Sequence, residues 1–308
     1  MNAWEKKRKE YSALKRYYYH LSSDGWKEGR LFHSREQYAY GMTLVGLLTL
    51  RFDIVIYDFT LMPNHIHLLL KGDGETCMKA FDYFRRKLSA RLVKDGNPPL
   101  PADYGFKLRP VESREQMRVA FLYLARNPYE RNTVVPGGYL WASAGLHYSD
   151  WPQIVCGTRA DCLSKRTLER LTGTRMSIPG AWEFHPQLGL LPSSFVDHSM
   201  FEKVFASPKD YQTHLVKEYE AFVRLGRALD ETPSFSEEEI ADMTQQLVNQ
   251  LFPGKRSAQL SNDEKGQLCV RLADRYGLSP QQMADELHMP ERLVKQFLSA
   301  KDYGNQRR

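Results

Sequence analysis

The chain has 308 residues, 42% hydrophobic, 12% aromatic and 26% charged, a composition that can bury a core and excludes disorder over most of its length. Its formal charge of +6 divides into 23 basic against 16 acidic residues over 1–150, 10 against 14 over 151–254 and 10 against 7 over 255–308, so the basic excess lies toward the two ends, as for a polyanion held by two modules. The four cysteines, Cys77, Cys156, Cys162 and Cys269, form no C-x-x-C pair, which excludes a disulfide framework and a cysteine zinc site; no apolar run reaches membrane-spanning length and MNAWEKKRKEY lacks the apolar region of a signal peptide, so a cytoplasmic protein without a membrane partner is expected.

In chain order, RYYYHLS is aromatic and β-prone and predicts a strand. REQYAYGMTLVGLLTLRF predicts a helix with Tyr38, Met42, Val45 and Leu48 as its apolar stripe. DIVIYDFTLM then runs as a strand into the turn signal Pro63-Asn64, and HIHLLLK follows as its hairpin partner. CMKAFDYFRRKLSARLVKDG predicts a helix closed by Gly96, GFKLRPVES a short strand, and REQMRVAFLYLARN a helix that stops before Pro128. Strand, helix, strand, strand, helix, strand, helix predicts an α+β domain over 1–150, a ferredoxin-like antiparallel sheet with packed helices.

Residues 151–200 are rich in Gly, Pro and Ser and predict an irregular connector with short helical pieces such as SKRTLERLTG. From Pro208 the chain reads as helical: KDYQTHLVKEYEAFVRLGRAL, then SEEEIADMTQQLVNQLF opening on a Ser236/Glu239 capping box, with a linker at 253–256 closing the 151–254 region. The last segment, 255–308, begins with a Ser261/Glu264 capping box and carries Leu268, Val270 and Leu272 as apolar positions. A helix over SPQQMADELH, capped by Ser279 and Pro280, breaks at His288-Met289-Pro290 before ERLVKQFLSAK. This resembles a helix-turn-helix, with Ala284 and Val294 packing the helices together and His288, tolerant of a left-handed backbone, where the turn usually has glycine. Arg292, Lys295 and Gln296 then face outward as DNA-binding candidates; a plain three-helix packing module is the alternative.

The sharpest chemical feature is LMPNHIHLLLKG at 61–72. Alternation along a strand sends His65 and His67 to one face and Ile66, Leu68 and Leu70 to the other. Two imidazoles from one strand supply half of a divalent-ion shell, although a strand pair that merely hydrogen-bonds or faces solvent is the commoner outcome of the bare spacing. In QMRVAFLYLARNPYERN the stripe Met117, Ala120, Phe121 and Leu124 is spaced to pack on the sheet, and Tyr123 and Asn127, four apart, are helical neighbours. They offer a hydroxyl nucleophile beside an amide ligand, or an amphipathic tyrosine at the edge of the core.

LMPNHIHLLL closely resembles the HUH motif of the REP-associated tyrosine transposases, within the single-tyrosine insertion-sequence superfamily of HUH endonucleases. YLARNP resembles that family's tyrosine helix and LWAS its Trp-Ser segment; the resemblance covers roughly residues 16–150. It implies that His65 and His67 bind a divalent ion such as Mg or Mn, that Tyr123 attacks the scissile phosphate, and that Asn127 completes the metal site. It also implies a covalent 5′-phosphotyrosine intermediate, a free 3′-hydroxyl, and hairpin-bearing or palindromic single-stranded DNA as substrate. The helices after residue 200 lie outside the family pattern, so their role does not transfer.

Those residue types suit the chemistry. Tyrosine is a poor nucleophile until deprotonated and a tolerable leaving group afterwards, so the bond energy is kept for rejoining. Arg85, Arg86 and Lys87, with Tyr83 and Phe84 beside them, are candidates to hold a DNA backbone and stack bases, or else one solvated helix face. The rival class is a domesticated DNA-binding regulator that keeps the fold without mobilising DNA; a zinc-stabilised module fits less well, because no further His or Cys has structural-site spacing. Monomer and homodimer both stay open.

Overall fold

The computed structural model describes residues 3–24, 29–101, 104–129, 138–147, 155–215, 219–229, 235 and 237–305. The chain divides into two compact units, Met1–Pro128 with Val134–Leu215, and Tyr129–Thr133 with Val216–Arg308.

The first unit is α+β. Its main sheet holds β1 (Tyr17–Ser23), β2 (Val55–Leu61), β3 (Ile66–Gly72) and β4 (Phe106–Pro110) in the order β2-β3-β1-β4, every pair antiparallel. The strands and the helices α2 (Arg35–Arg51), α3 (Gly74–Lys94) and α4 (Arg114–Arg126) follow the sequence pattern; α1 (Ala3–Ser12) is an addition that the sequence reading does not contain. Each of α2, α3 and α4 starts on an oxygen that accepts from the third residue on: Ser34 from Gln37 N, Asp73 from Thr76 N, Ser113 from Gln116 N. The β2–β3 hairpin turns at Pro63-Asn64, where Met62 N donates to the His65 carbonyl at 2.9 Å.

The pleat gives the sheet two unlike faces. Leu21, Phe59, Leu61, Ile66, Leu68, Leu70, Phe106 and Leu108 form the apolar face and bury against α2 and α3, where Phe81 meets Phe106 with ring centroids 4.6 Å apart. His20, Ser22, Asp58, Thr60 and His67 are interleaved with them on the other face and are buried too. That polar face lies under α4. Helix α4 is covered in turn by α6 (Ser199–Val204) and α7 (Pro208–Leu215), with Phe121 edge-on to Phe201 at 5.3 Å.

The connector is more ordered than its composition suggests. It contains β5 (Thr158–Arg159), α5 (Lys165–Thr172), β6 (Glu183–His185) and β7 (Gly189–Leu190), the strands forming a second antiparallel sheet, β5-β6-β7, before α6 and α7. Strand β7 lies on α2: Leu190 N donates to Thr43 Oγ1 at 3.1 Å, and Gly189, at φ 73°, passes so close that a Cβ there would sit 2.1 Å from the Ala39 carbonyl oxygen. With sheets on both sides, α2 is buried well beyond the expected stripe, Leu44 and Leu47 included.

The second unit is helical: α8 (Tyr219–Leu229), α9 (Glu237–Leu251), α10 (Asn262–Tyr276), α11 (Pro280–Leu287) and α12 (Glu291–Asn305). One core joins Tyr219, Met243, Leu247 and Val248 to Leu268, Leu272, Met283, Ala284 and Val294, so it runs across position 255 without a break. Cys269 is in this core, whereas Val270 is only partly buried. Capping boxes close the starts of α10 and α11, Ser261 with Glu264 and Ser279 with Gln282. The 236/239 box falls on Ser236, outside the described residues. Between α11 and α12, His288 adopts φ 50°, ψ 55°, the left-handed turn expected of it. Among the described residues no helix is long and apolar enough to cross a membrane.

Candidate active site

The polar face of the sheet and the end of α4 bring four of the sequence candidates together. His65 and His67 are edge-on with ring centroids 4.8 Å apart, and Tyr123 is edge-on to His67 at 5.6 Å. Asn127, at the C-cap of α4, places Nδ2 3.0 Å from His67 Nε2. The helical spacing that makes Tyr123 and Asn127 neighbours therefore points both at the same imidazole. Tyr123 is 3% exposed, which corrects the expectation of a tyrosine at the edge of the core: α4 is buried on nearly all sides from Met117 to Arg126.

A fifth residue belongs to this cluster and is absent from the sequence reading. His20 on β1 places Nε2 3.1 Å from His67 Nδ1, and its ring is 5.9 Å from Tyr123. It reaches them because β1 lies beside β3 with Ser22 opposite His67 and His20 opposite Leu69. The turn residue Asn64 likewise has a side-chain role, its Oδ1 2.7 Å from His65 Nδ1. The tyrosine helix is held by three bonds to carbonyls: Thr60 Oγ1 donates to Leu124 at 2.9 Å, Arg126 to Leu215 at 2.8 Å, and Arg114 to Val204 at 3.2 Å, so α4 is bonded both to the sheet and to the 199–215 segment.

Beside the cluster lies a second buried polar group. Asp58, on the same face of β2, accepts from Phe59 N at 2.9 Å and from the Ser143 hydroxyl. Ser143 belongs to the Trp-Ser segment, which continues the sheet edge next to β2 through Leu61 N to the Trp141 carbonyl and Ser143 N to the Phe59 carbonyl. Asp58 Oδ2 lies 3.9 Å from His147 Nε2. Burial drives Asp58 up to about 7 and His147 down to about 3, the latter helped by His198.

The cationic candidates sit elsewhere. Arg85, Arg86 and Lys87 are on α3, across the sheet from the histidines; Arg85 pairs with Asp82 at 3.4 Å and Lys87 Nζ donates to the Gly173 carbonyl at 3.0 Å. Tyr83 and Phe84 are buried in the α3 core, which overturns base stacking as their role. In the second unit Arg292, Lys295 and Gln296 are exposed on α12, with Lys295 bonded to Glu291 at 2.8 Å, while Val294 is buried.

His67 suits a divalent ion by its protonation. Desolvation, followed by the neighbouring His65, keeps His67 well below the usual imidazole range, so it is neutral and carries a lone pair. A half-turn of the Asn127 side chain exchanges its nitrogen for its oxygen. Among the described residues no group of three or more His, Cys, Asp or Glu side chains is placed to hold a metal. Comparison with protein-family models, with curated proteins and with solved structures finds no match to this chain.

Proposed function

We propose that the first unit is a ferredoxin-like HUH endonuclease core that nicks and rejoins single-stranded DNA through Tyr123. The observation that carries this reading is the convergence of His65, His67, Asn127 and Tyr123 on one face of the sheet, from segments about 60 residues apart. A divalent ion such as Mg or Mn, held by His65, His67 and Asn127, would polarise the scissile phosphate and offset charge developing in the transition state. Tyr123 then loses its proton and attacks phosphorus; the Oη–P bond forms as the P–O3′ bond breaks, and the departing 3′ oxygen takes up a proton. The reverse attack by a 3′-hydroxyl releases Tyr123 and rejoins the strand.

The second unit, in this reading, holds the duplex stem of a hairpin with α11 and α12 as a helix-turn-helix, while the sheet handles the strand that is cut. Arg85, Arg86 and Lys87, remote from Tyr123, serve as backbone contacts for flanking DNA rather than as catalytic groups. The reading requires DNA to open a path to Tyr123. That burial is the one observation favouring the alternative, a regulator that binds DNA without cutting it. The decisive experiment incubates a labelled hairpin-bearing single strand with Mg or Mn and looks for an adduct that survives denaturing gels. An adduct lost in Tyr123→Phe is expected; binding without any adduct favours the regulator, and an adduct that persists in Tyr123→Phe assigns the nucleophile elsewhere.

A further inference from the structure

His65 has Nδ1 against a side chain, and His67 has a side chain at each ring nitrogen. At His65 the partner of Nδ1 is the Asn64 Oδ1, 2.7 Å away. An amide oxygen only accepts, so His65 carries its hydrogen on Nδ1 and keeps the Nε2 lone pair. At His67 the far side decides the matter: Asn127 Nδ2, 3.0 Å from His67 Nε2, has only hydrogens to give. With the Asn127 amide in this orientation, Nε2 is the acceptor and Nδ1 holds the hydrogen. The atom 3.1 Å from that Nδ1 is His20 Nε2, which accepts from it.

We infer that His20 is a positioning residue of the site: by accepting from His67 Nδ1–H it fixes the tautomer and ring orientation that present the His67 Nε2 lone pair, and so sets the affinity for a divalent ion. The arrangement is the histidine counterpart of the carboxylate or carbonyl that usually orients a ligating imidazole. It is rigid by construction, because His20 is buried on β1 and the β1–β3 register fixes its distance from His67. His20 needs no contact with the ion or the DNA to act in this way.

The inference rests on the proposed role of His65 and His67, and the test separates the two. Mn2+ is titrated into the full-length protein and the free ion is read from the electron paramagnetic resonance signal of its hexaaqua form. His67→Ala should abolish binding, and His20→Ala should weaken it about 10- to 100-fold, the usual consequence of losing an outer-shell partner. His20→Gln, whose amide oxygen can accept in place of the imidazole nitrogen, should stay within about threefold of wild type on the same reasoning. Wild-type affinity in His20→Ala, or a loss in His20→Gln as large as in His20→Ala, overturns the role of His20 and leaves the metal site standing. Wild-type affinity in His67→Ala, or no binding by the wild type, overturns the site itself. Long-range nitrogen–proton NMR of the metal-free wild type reads the His67 tautomer directly and needs no variant: Nδ1–H is expected, and Nε2–H refutes the inference.

Discussion

The Asp58–His147 pair gives a quantitative prediction for Asp58→Asn. Asp58 is fully buried, its Oδ1 is bonded to Phe59 N and Ser143, and its Oδ2 faces His147 Nε2 at 3.9 Å, neither atom having a hydrogen-bond partner among the described residues. Burial raises Asp58 from 3.8 to about 7, so the folded protein holds that proton to higher pH than the unfolded chain does. The stabilisation this gives is complete below 3.8 and is lost as pH rises through about 7. At 1.36 kcal/mol per pKa unit the full swing is about 4 kcal/mol. His147, lowered from 6.5 to about 3, runs the other way: its contribution is present above 6.5 and is lost as pH falls toward 3. Across the acid range the two oppose each other in the wild type. Asparagine keeps the shape and removes one arm. Asp58→Asn should be more stable than wild type at pH 8 by up to ~4 kcal/mol, less the contribution of the Ser143 bond, and this advantage should vanish by about pH 4. Urea unfolding of both proteins at several pH values gives the difference, in which the other buried imidazoles cancel. A difference that does not change with pH would show that Asp58 does not titrate in the folded protein as its burial requires.

Thr60→Val removes the hydroxyl that holds the Leu124 carbonyl at 2.9 Å and keeps the side-chain shape. It should cost about 1–2 kcal/mol in urea unfolding and slow adduct formation at Tyr123, and an unchanged rate would mean that this bond does not position α4. Arg292→Ala with Lys295→Ala, both exposed on α12, should weaken binding to a hairpin stem and flatten its salt dependence by about one unit of slope per lost phosphate contact; identical salt curves would assign that helix to packing or to another partner.

What was legible in the sequence is what repeats at short range. The His65-x-His67 alternation, the four-residue step from Tyr123 to Asn127, the turn at Pro63-Asn64 and the caps at Ser261 and Ser279 each need only a strand, a helix or a turn to have their consequence, and the structure sets His65 beside His67 and Tyr123 with Asn127 against His67, the meeting of strand and helix being the work of the tertiary fold. The connector sheet was not legible, because strands of two and three residues carry no period. Its place on α2 is set by the Leu190–Thr43 bond, 147 residues long in sequence. Tyr83 and Phe84 were misread for a related reason: aromatics beside a run of cations look like a binding face until the helix has a sheet beneath it, and here they are the residues facing inward.

His20 marks the boundary between the two kinds of information. Within RYYYHLS it is one polar residue in an aromatic strand, and no local spacing connects it to the histidines 45 and 47 positions on. Its meaning arises only when β1 inserts between β3 and β4, since that strand order and the Ser22–His67 register put two imidazoles in hydrogen-bond contact. Arg126 makes the same point from the other side. A basic residue in the last turn of a helix is sufficiently explained by the helix dipole, yet here the guanidinium is buried and donates to the carbonyl that ends α7, 89 residues away. A residue that completes a site across strands or helices therefore leaves no periodic trace, and what singles it out is a polar group buried where the local pattern would have allowed an apolar one.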